Sequence, residues 1–129
     1  MPSRAKDWLR QAQHDLEHAR HSLEGGDYEW ACFAAQQAAE KAVKALHLRL
    51  GQEAWGHVIA KLLQELPGAV PVSATLIEKA RVLDNFYIPA RYPNSHPQGA
   101  PFEHYGPLQS EAALAYAREI IDFARAQMA

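Results

Sequence analysis

Tyr28-Glu29-Trp30-Ala31-Cys32-Phe33-Ala34-Ala35-Gln36-Gln37-Ala38-Ala39-Glu40-Lys41-Ala42-Val43-Lys44-Ala45-Leu46-His47-Leu48-Arg49-Leu50 reads as one uninterrupted helix, stopped by Gly51. At about 100° per residue, Gln36, Gln37, Glu40, Lys41, Lys44 and His47 fall on one side. The other half is apolar and divides in two. Ala31, Ala35, Ala38, Ala42 and Ala45 form a smooth strip that lets a neighbouring helix come close. Tyr28, Cys32, Val43, Leu46 and Leu50 form a bulkier strip beside it. So wide an apolar face contacts at least two other helices, which makes this the central helix of a bundle. Phe33 projects amid Gln37, Glu40 and Lys44, either as an ordinary exposed aromatic or as an anchor for a partner chain.

The flanking segments supply the neighbours. A first helix starts at Ser3, a good N-cap, and stops at Gly25-Gly26. Ala5, Trp8, Leu9, Ala12, Leu16, Ala19 and Leu23 line its single apolar stripe. A short third helix runs from about His57 to Leu66, carries Val58, Leu62, Leu63 and Leu66, and stops at Pro67-Gly68. The fourth follows Pro71-Val72-Ser73, with Thr75 and Glu78 at capping-box spacing. Its stripe is Leu76, Ile77, Ala80, Leu83 and Tyr87, with Asp84 on the same face. The last helix spans about Ser110 to Gln127 and turns Ala113, Leu114, Ala117, Ile120, Ile121, Ala124 and Met128 inward. No alternating pattern of a strand and no internal repeat is present. The expectation is an all-α, antiparallel (up-down) bundle of four long helices plus one short helix, a single domain over residues 1–129.

Composition bounds the function. The 129 residues are 48% hydrophobic and 22% charged, which excludes a disordered chain. Thirteen basic against fifteen acidic residues give a formal charge of −2, unlike a general nucleic-acid coat. Any contact with RNA has to use a local patch or a shared interface. One cysteine excludes an intrachain disulfide and suits a reducing cytoplasm. Met1-Pro2-Ser3-Arg4 followed by mixed charges does not read as a signal peptide. No apolar run approaches the roughly 20 residues of a membrane span. A cytoplasmic protein without membrane contact is expected.

Between the fourth and last helices lies a long loop, about Ile88 to Gln109, which holds five of the eight prolines. Proline fixes φ, so the loop reads as shaped; ordered loops of this length are usually functional. It contains Arg91-Tyr92-Pro93-Asn94-Ser95-His96, an arginine and a histidine five positions apart. His14, His18 and His21 share a helical face with Asp7 and Arg10, which reads as solvated surface rather than a metal site. Cys32 lies in the apolar half of its helix and no glycine-rich phosphate loop is present, so no cofactor or metal is expected.

The stretch Gly26-Asp27-Tyr28 through Ala45-Leu46 resembles the signature of HEPN domains, small helical domains of prokaryotes and some eukaryotic proteins. Leu83-Asp84-x-x-Tyr87-Ile88-Pro89-x-Arg91-Tyr92-Pro93 resembles that family's second signature. The spacing of the two fits as well, so the resemblance covers nearly the whole chain. It implies a bundle that pairs as a homodimer. It also implies a small nucleotidyltransferase as partner in a toxin–antitoxin pair, and RNA or a nucleotide as ligand. In active members an Arg-x(4–6)-His motif forms a metal-independent endoribonuclease site at the dimer interface, and Arg91-x4-His96 has that spacing. Two positions depart from the pattern. Tyr92 follows the arginine where active members often carry a polar residue. Gln98 stands where some toxins carry the tyrosine modified by the partner.

Cleaving RNA without metal requires moving a proton off a 2′-hydroxyl, offsetting charge on the phosphoryl oxygens, and protonating the departing 5′ oxygen. Arg91 suits the phosphate, as a permanently charged two-pronged donor, and His96 suits the proton transfers. Tyr92, Asn94 and Tyr105 are candidate substrate contacts, with stacking available to the two tyrosines. Asp84 and Tyr87 are the expected structural support. Enzyme status stays open at this point. In the alternative, a non-catalytic nucleotide- or partner-binding module, Arg91 pairs with Asp84 to pin the loop. A purely structural oligomerisation domain is the third reading. Leu46→Asp, an unpaired charge on the apolar half of the central helix, is expected to cost several kcal/mol and abolish cooperative folding. A Leu46→Asp protein with a sharp urea transition would overturn the facing assigned to that helix.

Overall fold

The computed structural model describes residues 3–129; Met1 and Pro2, part of the N-terminal reading above, lie outside them. Among the described residues every regular element is helical. They are α1 (Ala5–Glu24), α2 (Tyr28–Arg49), α3 (Ile59–Gln64), α4 (Ala74–Asp84) and α5 (Pro107–Met128), with 3-10 turns at Pro93–Ser95 and Pro101–Glu103. No helix among them is long and apolar enough to cross a membrane.

α2 is the centre: it packs against α1, α3, α4 and α5. The reversal between α1 and α2 takes three residues, closed by the Asp27 amide donating to the Ser22 carbonyl at 2.8 Å. Gly26 turns there at φ +82°, a conformation open to glycine. α4 runs opposite to α5, because Lys79 pairs with Glu119 at 2.8 Å while Phe86, further along, meets Tyr105 just before α5. The outcome is the expected up-down arrangement, with α3 as the short extra helix and α4 the shortest of the four at 11 residues.

Alanine governs the contact of α2 with α1 and α5. Ala12, Ala19, Ala31, Ala35, Ala38, Ala42, Ala45, Ala113, Ala117 and Ala124 are all wholly buried. Side chains this small let helix backbones approach closely, and dispersion contacts accumulate along the seam. Leu46, Ile59, Leu62, Leu63, Leu83 and Ile120 fill the wider space under α3 and α4.

Several boundaries and faces differ from the sequence reading. α1 starts at Ala5 with Arg4 in the cap position, although Ser3 Oγ still accepts from the Ala5 amide. Trp8 lies at the edge of its stripe and is 37% exposed. Ser73, not Thr75, caps α4, accepting from the Leu76 amide at 3.1 Å. α5 starts at Pro107 rather than Ser110, since proline at a first helical position lacks only an amide that would go unbonded anyway. Ser110 is then inside the helix, and its hydroxyl donates to the Gly106 carbonyl.

The polar side of α2 is not a solvated face. Gln36, Glu40 and His47 are buried, because the segment that leads into α3 wraps across them. His47 bridges Gln52 and the Leu62 carbonyl. Gln36 donates to the His57 carbonyl and to Glu40. Asp84 accepts from the first amides of α3, Ile59 at 2.6 Å and Ala60 at 3.1 Å. Burial pushes the Asp84 carboxyl above the ordinary aspartate value; the two amides pull it down less than burial and the Glu40 charge push it up. A folded-state value above the unfolded one means that this group's contribution is complete at low pH and is lost as pH rises through the folded value. From about pH 3 to about pH 6, around the free carboxylate value, the wild type should lose urea stability relative to Asp84→Asn. A wild type that gains on the variant over that range would contradict the assignment.

Candidate active site

The loop from α4 to α5 is built, not slack. Phe86, Ala90 and Pro101 are buried anchors, and Pro93 and Pro101 open the two 3-10 turns. The Ala100 amide donates to Glu103 and the Gly106 amide to Gln109. Gly99 sits at φ +83°, where a Cβ would come within 3.1 Å of the His104 ring. That ring is fixed in turn by the Gln98 carbonyl at 2.7 Å.

Arg91 is half-buried, and its Nε donates to the Tyr87 carbonyl at 2.8 Å. Its guanidinium carbon lies 4.3 Å from the ring centre of Phe33, 4.8 Å from that of Tyr87 and 5.1 Å from that of Tyr92. The expected pair with Asp84 does not form, since both Asp84 oxygens are taken by α3 amides. Among the described residues Arg91 enters no ion pair. Phe33 is therefore not a solitary exposed ring. It touches Trp30 edge-on and Tyr87 at 6.2 Å, and forms a wall for the guanidinium.

His96 is half-buried and its Nε2 donates to the Pro89 carbonyl at 2.7 Å, which leaves Nδ1 as the exchangeable nitrogen. Its ring stacks on His104 at 4.1 Å and meets the edge of Tyr105. Tyr92 and Asn94 are exposed, Asn94 within the first 3-10 turn. Tyr105 is half-buried between Phe86 and His96, and burial pushes its hydroxyl pKa up. The loop thus brings Arg91, Tyr87 and Tyr92 together, and separately His96 with His104 and Tyr105.

In the sequence His57, after Trp55-Gly56 at the start of the third helix, reads as a loop-fixing hydrogen bond or cap, and Glu40 reads only as part of the polar side of α2. His57 Nδ1 lies 3.0 Å and 3.2 Å from the two oxygens of Glu40, and its ring stacks on Tyr87 at 4.4 Å. Lys44 reaches the same carboxylate at 3.1 Å. The available signal was a carboxylate on a helix that packs on several sides, because such a group must find donors. Cys32 is not a rival nucleophile: burial, with some help from Glu29, pushes its thiol up to about 12. Among the described residues no group of three or more His, Cys, Asp and Glu is placed to hold a metal. A double-mutant cycle of Phe33→Leu with Arg91→Met, read by urea unfolding, should give a coupling of about 0.5–2 kcal/mol. Additive losses would mean that the ring and the guanidinium merely adjoin.

The HEPN domain family profile matches residues 5–127 of the chain. No curated protein matches it. TT1696 from Thermus thermophilus, a crystal structure, is 55% identical with a TM-score of 0.96, covering 98% of this chain and 99% of its own. ST0689, described as an archaeal HEPN homologue, is 40% identical with a TM-score of 0.83 and covers 100% of both chains. The HEPN domain protein tm0613 from Thermotoga maritima is 39% identical with a TM-score of 0.75, over 93% of this chain and 95% of its own. With the family's helices and both sequence signatures in one continuous match, this chain belongs to the HEPN domain family.

Proposed function

We propose that the protein is a metal-independent endoribonuclease acting as a homodimer, the toxin-like half of a pair completed by a small nucleotidyltransferase. The observation that carries this reading is the state of Arg91. A guanidinium with no carboxylate partner among the described residues is held by one carbonyl through Nε and walled by three rings, which leaves its remaining donors for an anion. A phosphodiester suits those donors, and the exposed Tyr92 ring beside them offers a surface on which a base can stack. His96, with one nitrogen fixed and the other exchangeable, is equipped to pass a proton. Asn94, exposed between the two residues in sequence, adds a donor for the sugar–phosphate backbone.

Dimerisation is supported by part of the exposed apolar surface. Trp8, Leu50, Trp55 and Val58 are exposed elsewhere, but Trp30 in the first turn of α2, Ile88 and Tyr92 after α4, and Phe102 and Leu108 around the start of α5 lie toward the end that carries Arg91. Two copies meeting there would place two Arg91–His96 loops on one RNA strand. A second reading, a binding module in which Arg91 is structural, has its own observation: the same three rings and the Tyr87 carbonyl could hold Arg91 simply to shape the loop.

A mixed-sequence RNA incubated with the purified protein in EDTA separates the two. The ribonuclease reading expects 2′,3′-cyclic phosphate ends, and a loss of about 100-fold or more in His96→Ala and in Arg91→Lys. A folded dimer that leaves the RNA intact would favour the binding module. Equal cleavage by wild type and variants would locate the activity elsewhere.

A further inference from the structure

The loop explains a phosphate grip and one proton carrier, yet cleavage of RNA moves two protons. The second carrier has to lie near Arg91. Besides the His96 of a second copy, a group of the same protomer meets that condition, and it stands outside the Arg-x4-His motif. The Glu40 carboxylate, 6% exposed, faces the Nδ1 of His57, whose side chain is 52% exposed. A carboxylate behind one nitrogen of an imidazole fixes the tautomer and the orientation of the ring, and leaves the other nitrogen free to take a proton. Here Nδ1 carries the hydrogen and Nε2 is the free nitrogen.

The place of this pair matters as much as its form. His57 stacks on Tyr87 with ring centres 4.4 Å apart and planes 16° from parallel, and the guanidinium of Arg91 lies 4.8 Å from the centre of that same ring. The imidazole and the guanidinium thus share one tyrosine ring as support, and their separation is at most the sum of those two distances. His57 is further pinned through its carbonyl by Gln36, so both its backbone and its ring are held. A structural role accounts for the Nδ1 bond to Glu40; what it leaves unused is the half-exposed ring and an Nε2 that no described residue engages.

We propose that His57, oriented by Glu40, is the base of the cleavage reaction, and that His96 is the acid. This rests on the ribonuclease reading above. His57 Nε2 takes the proton of a ribose 2′-hydroxyl as the 2′-oxygen bonds to phosphorus. Arg91 holds the non-bridging oxygens while the bond from phosphorus to the 5′-oxygen breaks. The departing 5′-oxygen receives the proton carried by His96 Nδ1. The products are a 2′,3′-cyclic phosphate and a 5′-hydroxyl, and exchange with water resets both histidines. Glu40 touches no reacting atom and is a positioning residue.

The test is the EDTA cleavage assay with His57→Ala, with and without added imidazole, beside Glu40→Gln. His57→Ala should lose about 10²–10⁴-fold in kcat with little change in KM, and imidazole should restore part of it. Glu40→Gln, which keeps an acceptor for Nδ1 but not the charge, should lose about 10-fold to 100-fold. Should His57→Ala fail to fold, His57→Gln keeps a donor toward Glu40 but cannot take a proton, and inactivity is again expected. A His57 variant as active as the wild type overturns this proposal alone. So does a slow variant that imidazole does not restore, which marks a structural role. A wild type that leaves RNA intact overturns the ribonuclease reading and this proposal with it.

Discussion

The buried carboxylate of Glu40 is the constraint on which the functional end of the molecule depends. An ionised carboxylate inside a packed protein costs several kcal/mol unless donors surround it. Gln36 and Lys44 supply two from α2 itself, and His57 supplies the third from the segment before α3. That third bond decides the path of the chain. It holds residue 57 against α2, so that α3 begins two residues later, where Asp84 accepts its first amides. Asp84 ends α4, and Tyr87 follows within one turn, in reach of the His57 ring. The floor under Arg91 is thus set by a polar chain running from α2 through α3 to α4.

Two kinds of packing share the work on either side of that chain. Along α1, α2 and α5 the seam is alanine, which buries little area per residue but admits close backbones and many dispersion contacts. Such a seam is permissive in register, since one small side chain replaces another with little change of shape. The polar bonds are not permissive: Lys41 on α2 meets Asp15 on α1 at 2.6 Å, and Gln36, Glu40 and His47 each have named partners. A buried polar group satisfied in only one alignment selects that alignment. Alanine brings the helices together, and the polar groups fix how they sit.

This division explains what could be read from the sequence. The helix over Tyr28–Leu50, its alanine strip and its central position follow from periodicity alone, and so does the absence of strand patterning. Family membership was legible in the two signatures around Glu40 and Arg91. Faces set by tertiary contacts were not. The polar side of α2 reads as solvated until another segment covers it, and no local signal reveals that cover. Asp84 plainly needs a donor, but backbone amides 24 and 25 residues away leave no mark in composition, whereas the nearby Arg91 offers an obvious and mistaken partner. The start of α5 at Pro107 and the cap at Ser73 were local errors, where a residue that fits a rule lay a few positions from another that fits as well.

Histidines show how the site can be read once contacts are known. His47 has both ring nitrogens engaged in the interior, so neither is available for exchange and its role is structural. His57, His96 and His104 each have one nitrogen fixed by an acceptor. They differ in what that acceptor is and in what surrounds the ring. His104 and His96 are anchored by carbonyls, which orient a ring but bring no full charge to it. His57 is anchored by a carboxylate, the acceptor suited to a residue that gains a proton during attack, because it meets the new positive charge. Arg91 and His57 also share Tyr87 as a common surface, so neither can move without disturbing the other's support. A loop motif supplies the arginine, but the helix that carries the family's first signature supplies the carboxylate that aims its neighbour. The two signatures, far apart in the chain, meet where Phe33 packs against Tyr87 and Arg91.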